Sequence, residues 1–314
     1  MRCAFRRNFG SLSIDGPLSE TSRWRAIVRV LRSPVDAIGS ALLPASCTLC
    51  GSPLPRLSSV PICDACWAEI PAQNGAGAVC QRCGDGLEAP VVEGIAWTAL
   101  CRACRLAPPA FARAVSFGTY EGRLREAIHV LKYDGLHPAA RKLGAMLAEA
   151  MAQLLPQGPA EMLVVPVPLH SSKHRQRGFN QARALAQGAI EALSRSHPEW
   201  KLTLAPSTLM RLRATETQAG LTPTQRRKNV RGAFKVTDPA AVRQRNVLLV
   251  DDILTTGATA RAAAQSLIKA GAASVYVATL ARARRLNNNA SPNQDAQNAY
   301  ADMHSSSSSH QPAS

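Results

Sequence analysis

Residues 247–261 read VLLVDDILTTGATAR: an apolar run, two adjacent carboxylates and a hydroxyl-rich turn. Carboxylates accept hydrogen bonds from hydroxyls or hold a hard divalent cation. Gly257 allows close backbone approach to a ligand, and Thr255, Thr256 and Thr259 add hydroxyl donors. The turn leads into a helix, and exposed N–H groups at a helix N-terminus favour an anion. Asp251 and Asp252 repel phosphate, so one ligand serving both halves needs hydroxyls at one end and phosphate at the other. A sugar phosphate has that form. A plain helix cap needs only one Asp or Thr, whereas residues 251–259 hold two aspartates and three threonines.

Eight of the nine cysteines form a second pattern: Cys47-x-x-Cys50, Cys63-x-x-Cys66, Cys80-x-x-Cys83 and Cys101-x-x-Cys104, with Cys3 apart. A C-x-x-C turn sets two thiolates on one side of a tight loop, half of a tetrahedral shell. Two turns complete a shell, so four can hold two zinc ions. Sequential pairing gives Cys47/Cys50/Cys63/Cys66 and Cys80/Cys83/Cys101/Cys104; a crossed pairing uses the same ligands, and spacing leaves the choice open. Either shell is closed to water, which makes the zinc structural. A redox dithiol needs one pair, and disulfides suit an oxidising compartment. No apolar stretch of signal-peptide type follows MRCAFRRNFGSLSIDG, and no run approaches the ~18 apolar residues of a membrane span. A cytoplasmic location is therefore expected.

These groups need elements to hold them. Residues 1–22 lack periodicity and are expected to be a disordered lead. Across 23–46, Trp24, Ile27, Val28, Leu31, Val35, Ile38 and Leu42 recur at helical steps, giving an amphipathic segment that Ser33-Pro34 splits into two short helices. Residues 47–108, poor in core residues, form the zinc module and are expected to need metal to fold. After Pro108-Pro109 the texture alternates. Strands are expected near Ala114–Tyr120, Met162–Val167, Gly232–Val236, Val247–Val250 and Ser274–Thr279. Helices are expected near Arg123–Lys132, Pro138–Gln153, Asn180–Leu193 and Thr256–Ala270. That alternation predicts an α/β domain over 109–283, a doubly wound parallel sheet with helices on both faces. Residues 284–314 are a polar, low-complexity tail, expected to be disordered.

The formal charge of +16 attracts phosphates on nucleic acid, anionic lipid or small ligands, unless it only reflects basic tails. Aromatic content of 4% argues against a base-stacking platform. The absence of GxxxxGK[ST] and of a strand-linked GxGxxG argues against nucleoside-triphosphate and dinucleotide sites.

Val247–Thr259 resembles the phosphoribosyl pyrophosphate (PRPP) motif of type I phosphoribosyltransferases: an apolar strand, two acidic residues and a T-T-G-x-T turn. Residues 164–181, VVPVPLHSSKHRQRGFNQ, and 213–234, RATETQAGLTPTQRRKNVRGAF, together with the cysteine pairs, resemble the ComF/GntX family from about Cys47 to Ala283. The resemblance implies a type I phosphoribosyltransferase-like sheet preceded by a double zinc ribbon. It places PRPP on Asp251, Asp252, Thr255, Thr256, Gly257, Ala258 and Thr259, with the two aspartates orienting the reacting ribose. It sets Pro168, Leu169, His170, Lys173, Arg175 and Arg177 around pyrophosphate. It makes 213–229 a flexible loop whose Arg213, Thr215, Gln218 and Arg226 close over the ligand. For Arg227 and Lys228 a solvated charge run serves equally well. Lys132, in KYDG, either reaches pyrophosphate or complements its helix C-terminus, and His129 reads as a surface or packing residue. Mg²⁺ would accompany PRPP, and phosphoribose would pass to an acceptor the sequence does not identify. The glutamine-amidotransferase version is not expected, because Cys3 lies in a basic lead. The alternative implied is a non-enzymatic competence protein that handles single-stranded DNA with DNA-uptake or recombination partners and binds PRPP as a regulator.

Overall fold

The computed structural model describes residues 46–54, 59–72, 78–87, 99–133, 138–156, 158–213, 225 and 229–283. The lead 1–22, the segment 23–45 and the tail 284–314 lie outside the described residues, as do Thr215, Gln218, Arg226, Arg227 and Lys228. Two compact units divide the chain, Met1–Cys63 and Asp64–Ser314.

In the first unit the chain turns at Cys47–Gly51, where the Gly51 N–H donates to the Cys47 carbonyl at 2.8 Å and Ser46 bridges Pro53. The second unit opens with short helix α1 (Asp64–Ala68). The 80–83 turn is flanked by the Val79–Gly86 bridge, and short helix α2 (Arg102–Leu106) begins inside the last C-x-x-C.

The α/β part then runs β1 (Arg113–Thr119), α3 (Gly122–Tyr133), α4 (Ala139–Ala152), β2 (Glu161–Pro166), α5 (Ser171–Arg177), α6 (Gln181–Ser196), β3 (Lys201–Leu204), β4 (Leu209–Arg211), β5 (Phe234–Val236), α7 (Pro239–Val242), β6 (Asn246–Leu254), α8 (Ala258–Lys269) and β7 (Ser274–Arg282). Five strands form one parallel sheet in the order β1-β7-β6-β2-β3. Runs such as VLLV at 247–250 are buried on both faces, as parallel strands under helices must be. Helices α4 and α6 pack together over one face. Gly144 of α4 and Gly188 of α6 make their contact; a Cβ on Gly144 would lie 2.8 Å from the Gly188 backbone. On the other face Ala260, Ala263, Ala264 and Leu267 of α8 share a core with Leu163, Val165, Val247, Leu249, Val275 and Val277.

The expected parallel sheet with helices on both faces is the observed one, with three local differences. The Gly232–Val236 run does not join it: β5 pairs antiparallel with β4 as a separate two-stranded sheet. The fifth place goes to β3, a four-residue edge strand whose half-exposed pattern carried no signal. The 171–177 stretch after β2 is a helix that the sequence does not announce, because SSKHRQR is polar on every side and shows no period to read.

Candidate functional site

β2 hands its chain rightward, through α5 and α6, to β3, while neighbouring β6 hands its chain leftward, through α8, to β7. Their carboxyl ends therefore part, leaving the crevice at which open α/β sheets bind ligands. One lip is Val167–Arg177 and the other Asp251–Ala260. Asn180 fixes the first lip: its side-chain amide donates to the Val167 carbonyl at 3.1 Å, while its Oδ1 caps α6 through the Ala182 and Arg183 N–H groups.

β6 continues through both aspartates, because its ladder with β7 carries on at Asp251–Thr279, Ile253–Ala281 and Leu254–Arg282. Asp252 is buried, and its Oδ2 receives the Lys132 ammonium at 3.0 Å and the Gln181 side-chain amide at 3.0 Å. Of the two roles open to Lys132, the ion pair with Asp252 adds a third. Burial alone would lower the Lys132 pKa, but the charge of Asp252, their hydrogen bond and the charge of Asp251 outweigh it and hold the ammonium above its usual value. Asp251 moves oppositely. Burial and the charge of Asp252 push its carboxyl up to about 7, against the N–H donated by Asp252 and the charges of Lys132 and Arg211. The Asp251 proton is thus exchangeable near neutral pH.

Past Leu254 the chain leaves the sheet and turns at Gly257, whose φ of 76° lies in the left-handed region. Space is no constraint there, since a Cβ on Gly257 would have Leu254 Cδ1 as its nearest neighbour at 3.8 Å, so the backbone angle is what asks for glycine. α8 starts at once with no side-chain cap beyond a 3.4 Å contact from the Ala258 N–H to Thr256 Oγ1. Its first turn faces the crevice, where backbone donors and the helix dipole favour an anion.

The crevice encloses about 220 Å³. Four cationic side chains (Lys132, Lys173, Arg177 and Arg211) line it against two carboxyl groups, a surplus of at least two positive charges before any ligand enters. Lys173 has its pKa lowered by burial and by neighbouring Arg211, Arg177 and Lys132. Arg211 has its own lowered by burial, with Asp251 opposing. Crowded, desolvated cations of this kind suit a polyanion that relieves their repulsion.

Among the expected residues, Pro168, Leu169, Lys173, Arg177, Asp251, Asp252, Thr255, Gly257, Ala258 and Thr259 line this crevice together. His170 instead caps α5, its Nδ1 accepting from the Ser172 N–H at 3.3 Å and contacting Ser172 Oγ at 2.8 Å. Arg175 is exposed on α5 and outside the lining, Arg213 donates to the Arg231 carbonyl, and His129 is exposed on α3. Three further polar side chains at or beside the crevice have little mark in the sequence. Gln181 is buried, and its Oε1 has no hydrogen-bond partner among the described residues; its signal was an amide on the stripe of Ala182, Leu185 and Ala189. Arg211 ends β4, over the Phe234 ring at 5.6 Å. Arg282 closes the apolar run of β7 and is 3% exposed.

The cysteines form two clusters, Cys47/Cys50/Cys63/Cys66 and Cys80/Cys83/Cys101/Cys104, the four Sγ atoms of each within 4.8 Å of one another. Sequential pairing is therefore the one adopted. Cys50 and Cys63 Sγ lie 3.7 Å apart, as do those of Cys83 and Cys101. That is the edge of a tetrahedron with metal–sulfur bonds of about 2.3 Å, and far beyond a disulfide of about 2.05 Å. The Cys63 N–H also donates to Cys47 Sγ at 3.3 Å, which favours the thiolate. Both donor sets fit structural zinc, two ions in all. Among the described residues no helix is long and apolar enough to cross a membrane.

Residues 142–300 match the family model described as phosphoribosyl transferase domain, and residues 38–105 match the double zinc ribbon domain. The DNA utilization protein YhgH of Salmonella typhi is 33% identical over 242 residues, covering 76% of this chain and 98% of that protein. Competence protein F of Haemophilus influenzae is 29% identical over 207 residues, 65% of this chain and 84% of its own. Competence protein ComFC of Bacillus subtilis is 30% identical over 167 residues, 52% of this chain and 62% of its own.

Proposed function

This chain belongs to the ComF family, phosphoribosyltransferase-domain proteins that carry a double zinc ribbon, and from that membership we propose that its crevice binds PRPP with Mg²⁺ and transfers phosphoribose in support of DNA uptake. The observation that carries the reading is one crevice holding the two carboxylates near the carboxyl end of β6 beside a left-handed glycine turn that opens α8. The 5′-phosphate takes the turn at Thr255–Thr259, where backbone N–H groups and hydroxyls donate to it. The ribose hydroxyls donate to Asp251 and Asp252, and Gln181 Oε1 offers a further buried acceptor beside them. Pyrophosphate lies along Pro168–Arg177, with Lys173, Arg177 and Arg211 drawn to its charge.

Hard carboxylate oxygens at Asp251 and Asp252 fit Mg²⁺, which needs few protein ligands when the substrate supplies phosphates. Bound there with PRPP, the ion would offset negative charge on the leaving pyrophosphate. The chain's own part is positioning. Asp251 and Asp252 orient the ribose, the turn anchors its 5′ end, and the cationic lip receives the charge that develops as the C1–oxygen bond breaks.

A thermal-shift titration tests the binding. PRPP with Mg²⁺ at 100 times its Kd adds about 2.7 kcal/mol of stability, and pyrophosphate release on adding candidate acceptors reports turnover. No shift at millimolar PRPP refutes the assignment. A second reading, PRPP as the regulator of a protein that handles single-stranded DNA, is favoured by the +16 charge and by relatives named for DNA utilization and competence. Salt-sensitive binding of single-stranded DNA that persists in Asp251→Ala/Asp252→Ala, with no pyrophosphate released, selects it.

A further inference from the structure

The second cysteine cluster does not stand apart from the α/β domain. Cys80, Cys83 and Cys104 pack in the same core as Leu254 and as Ala260, Ala263 and Ala264 of α8. The Ala114 N–H of β1 donates to the Arg82 carbonyl inside the 80–83 turn, and a Cβ on Gly84 would press on the Ala114 carbonyl at 3.2 Å.

Two arginines carry this contact on to the turn at 254–259. Arg282 leaves the end of β7 fully buried. Its Nη1 donates to the carbonyl of Leu254 at 2.9 Å and to that of Thr255, the first residue past β6. Its Nη2 faces Asp85 Oδ1 at 3.2 Å, a pair with side chains 4% and 9% exposed. Asp85 belongs to the cluster's first arm, for its carbonyl accepts from the Cys80 N–H at 2.7 Å. Arg261 stands one turn into α8, its N–H bonded to the Gly257 carbonyl. Its Nη1 donates to the Ala107 carbonyl at 2.7 Å, and its Nη2 lies 4.0 Å from Cys104 Sγ, on the second arm.

A buried ion pair is poor value for stability alone, since an apolar side chain fills such a site with less desolvation. Its merit here is geometric. The Thr255 carbonyl has left the sheet and needs a fixed donor, and a guanidinium offers several in one plane. Four thiolates on one divalent ion also leave a formal charge of about −2, which suits two flanking guanidinium groups. The two arms, 80–85 and 101–107, meet at the cluster, so a metal there makes them one rigid bracket that holds β7 and α8 together.

We propose that Arg282, assisted by Arg261, is a positioning residue that ties the phosphate turn to the second cysteine cluster, so that metal at Cys80/Cys83/Cys101/Cys104 sets the order of residues 253–259. The functional consequence rests on the PRPP reading of the turn; the mechanical link does not.

Amide hydrogen exchange on the full chain, with zinc content measured alongside, tests it. Opening the second cluster with Cys101→Ser raises exchange across 253–259 at least about fivefold, whereas opening the first with Cys50→Ser leaves it within about twofold. Arg282→Met raises the same peptide's exchange with two zinc ions retained, and adding Cys101→Ser then gives no further rise, the non-additivity of a shared path. A merely structural arginine would loosen β2 and α6 as well; these stay protected. Should Arg282→Met fail to fold, Arg261→Met and removal of zinc from the wild-type chain carry the same comparison. Equal effects of the two clusters, or additive effects of Cys101→Ser and Arg282→Met, overturn the proposal. If Mg²⁺ with PRPP fails to slow wild-type exchange at 253–259, the ligand reading falls while the link to the cluster stands.

Discussion

Replacing Asp251 by asparagine should make the ligand-free protein more stable on the alkaline side and, on the proposed function, weaken binding of PRPP. Burial first, and the neighbouring Asp252 second, raise the Asp251 carboxyl from 3.8 to about 7. A carboxyl raised on folding contributes stability that is fully present below its unfolded pKa and is lost as pH rises through its folded pKa. The window is therefore pH 3.8 to about 7. From pH 5.5 to pH 7 the loss is about 1.5 units at 1.36 kcal/mol each, or about 2 kcal/mol. In a domain of this size that is a melting shift of about 4–8 °C. The amide of the Asp251→Asn variant cannot titrate, so the variant escapes the loss. Zinc release at low pH affects both proteins and cancels in their difference. Melting or urea unfolding of the pair at about pH 5.5, 6.5, 7.5 and 8.5 reads the effect. The advantage of Asp251→Asn should grow by about 2 kcal/mol across the series and level off above about pH 7.5. Affinity of the wild type for Mg²⁺-PRPP should rise over the same interval, because the ligand needs the ionised carboxylate. A flat difference, or one that favours the wild type at high pH, would show Asp251 to be ionised and well paired throughout, and the argument from burial would fail.

Lys132→Met strips the buried Asp252 of its cation and should cost about 3 kcal/mol by urea unfolding at neutral pH, with Asp252→Asn recovering part of it in a double-mutant cycle. Gly144→Ala forces a methyl group against the Gly188 backbone and should cost about 1–3 kcal/mol, lowering the urea midpoint at unchanged m. Metal analysis of the purified chain should return two zinc ions per molecule, and their removal by a chelator should expose the eight cysteines of the two clusters to thiol reagents.

Much of the site was legible because its parts are local. A strand, two aspartates and a glycine turn occupy one short stretch, and each C-x-x-C closes its own loop, so spacing alone brings the groups of each candidate site together. What escaped depends on chain segments far apart in sequence. Lys132 has no sequence mark of its partnership with Asp252, which exists only because α3 ends beside the carboxyl end of β6. Gln181 reads as a routine first-turn residue until the Asn180 cap and the β2 end aim its amide at Asp252. α5 has no apolar period, β3 is too short and half-exposed to declare itself, and β5 pairs with β4 rather than joining the parallel sheet.

Residue types and their spacing were enough to lay out two closed Cys₄ shells and a parallel sheet, and to single out 251–259 as the stretch for which hydroxyl and phosphate recognition is proposed. How those groups are engaged came from the fold alone. It paired the cysteines in sequential order, drew Asp252 into a buried pair with Lys132 while raising Asp251 toward neutrality, and joined the second cluster to the turn after β6 through Arg282. Type and spacing fix what a group can bond, whereas its burial and the charge around it are set by whatever distant segments the fold packs beside it.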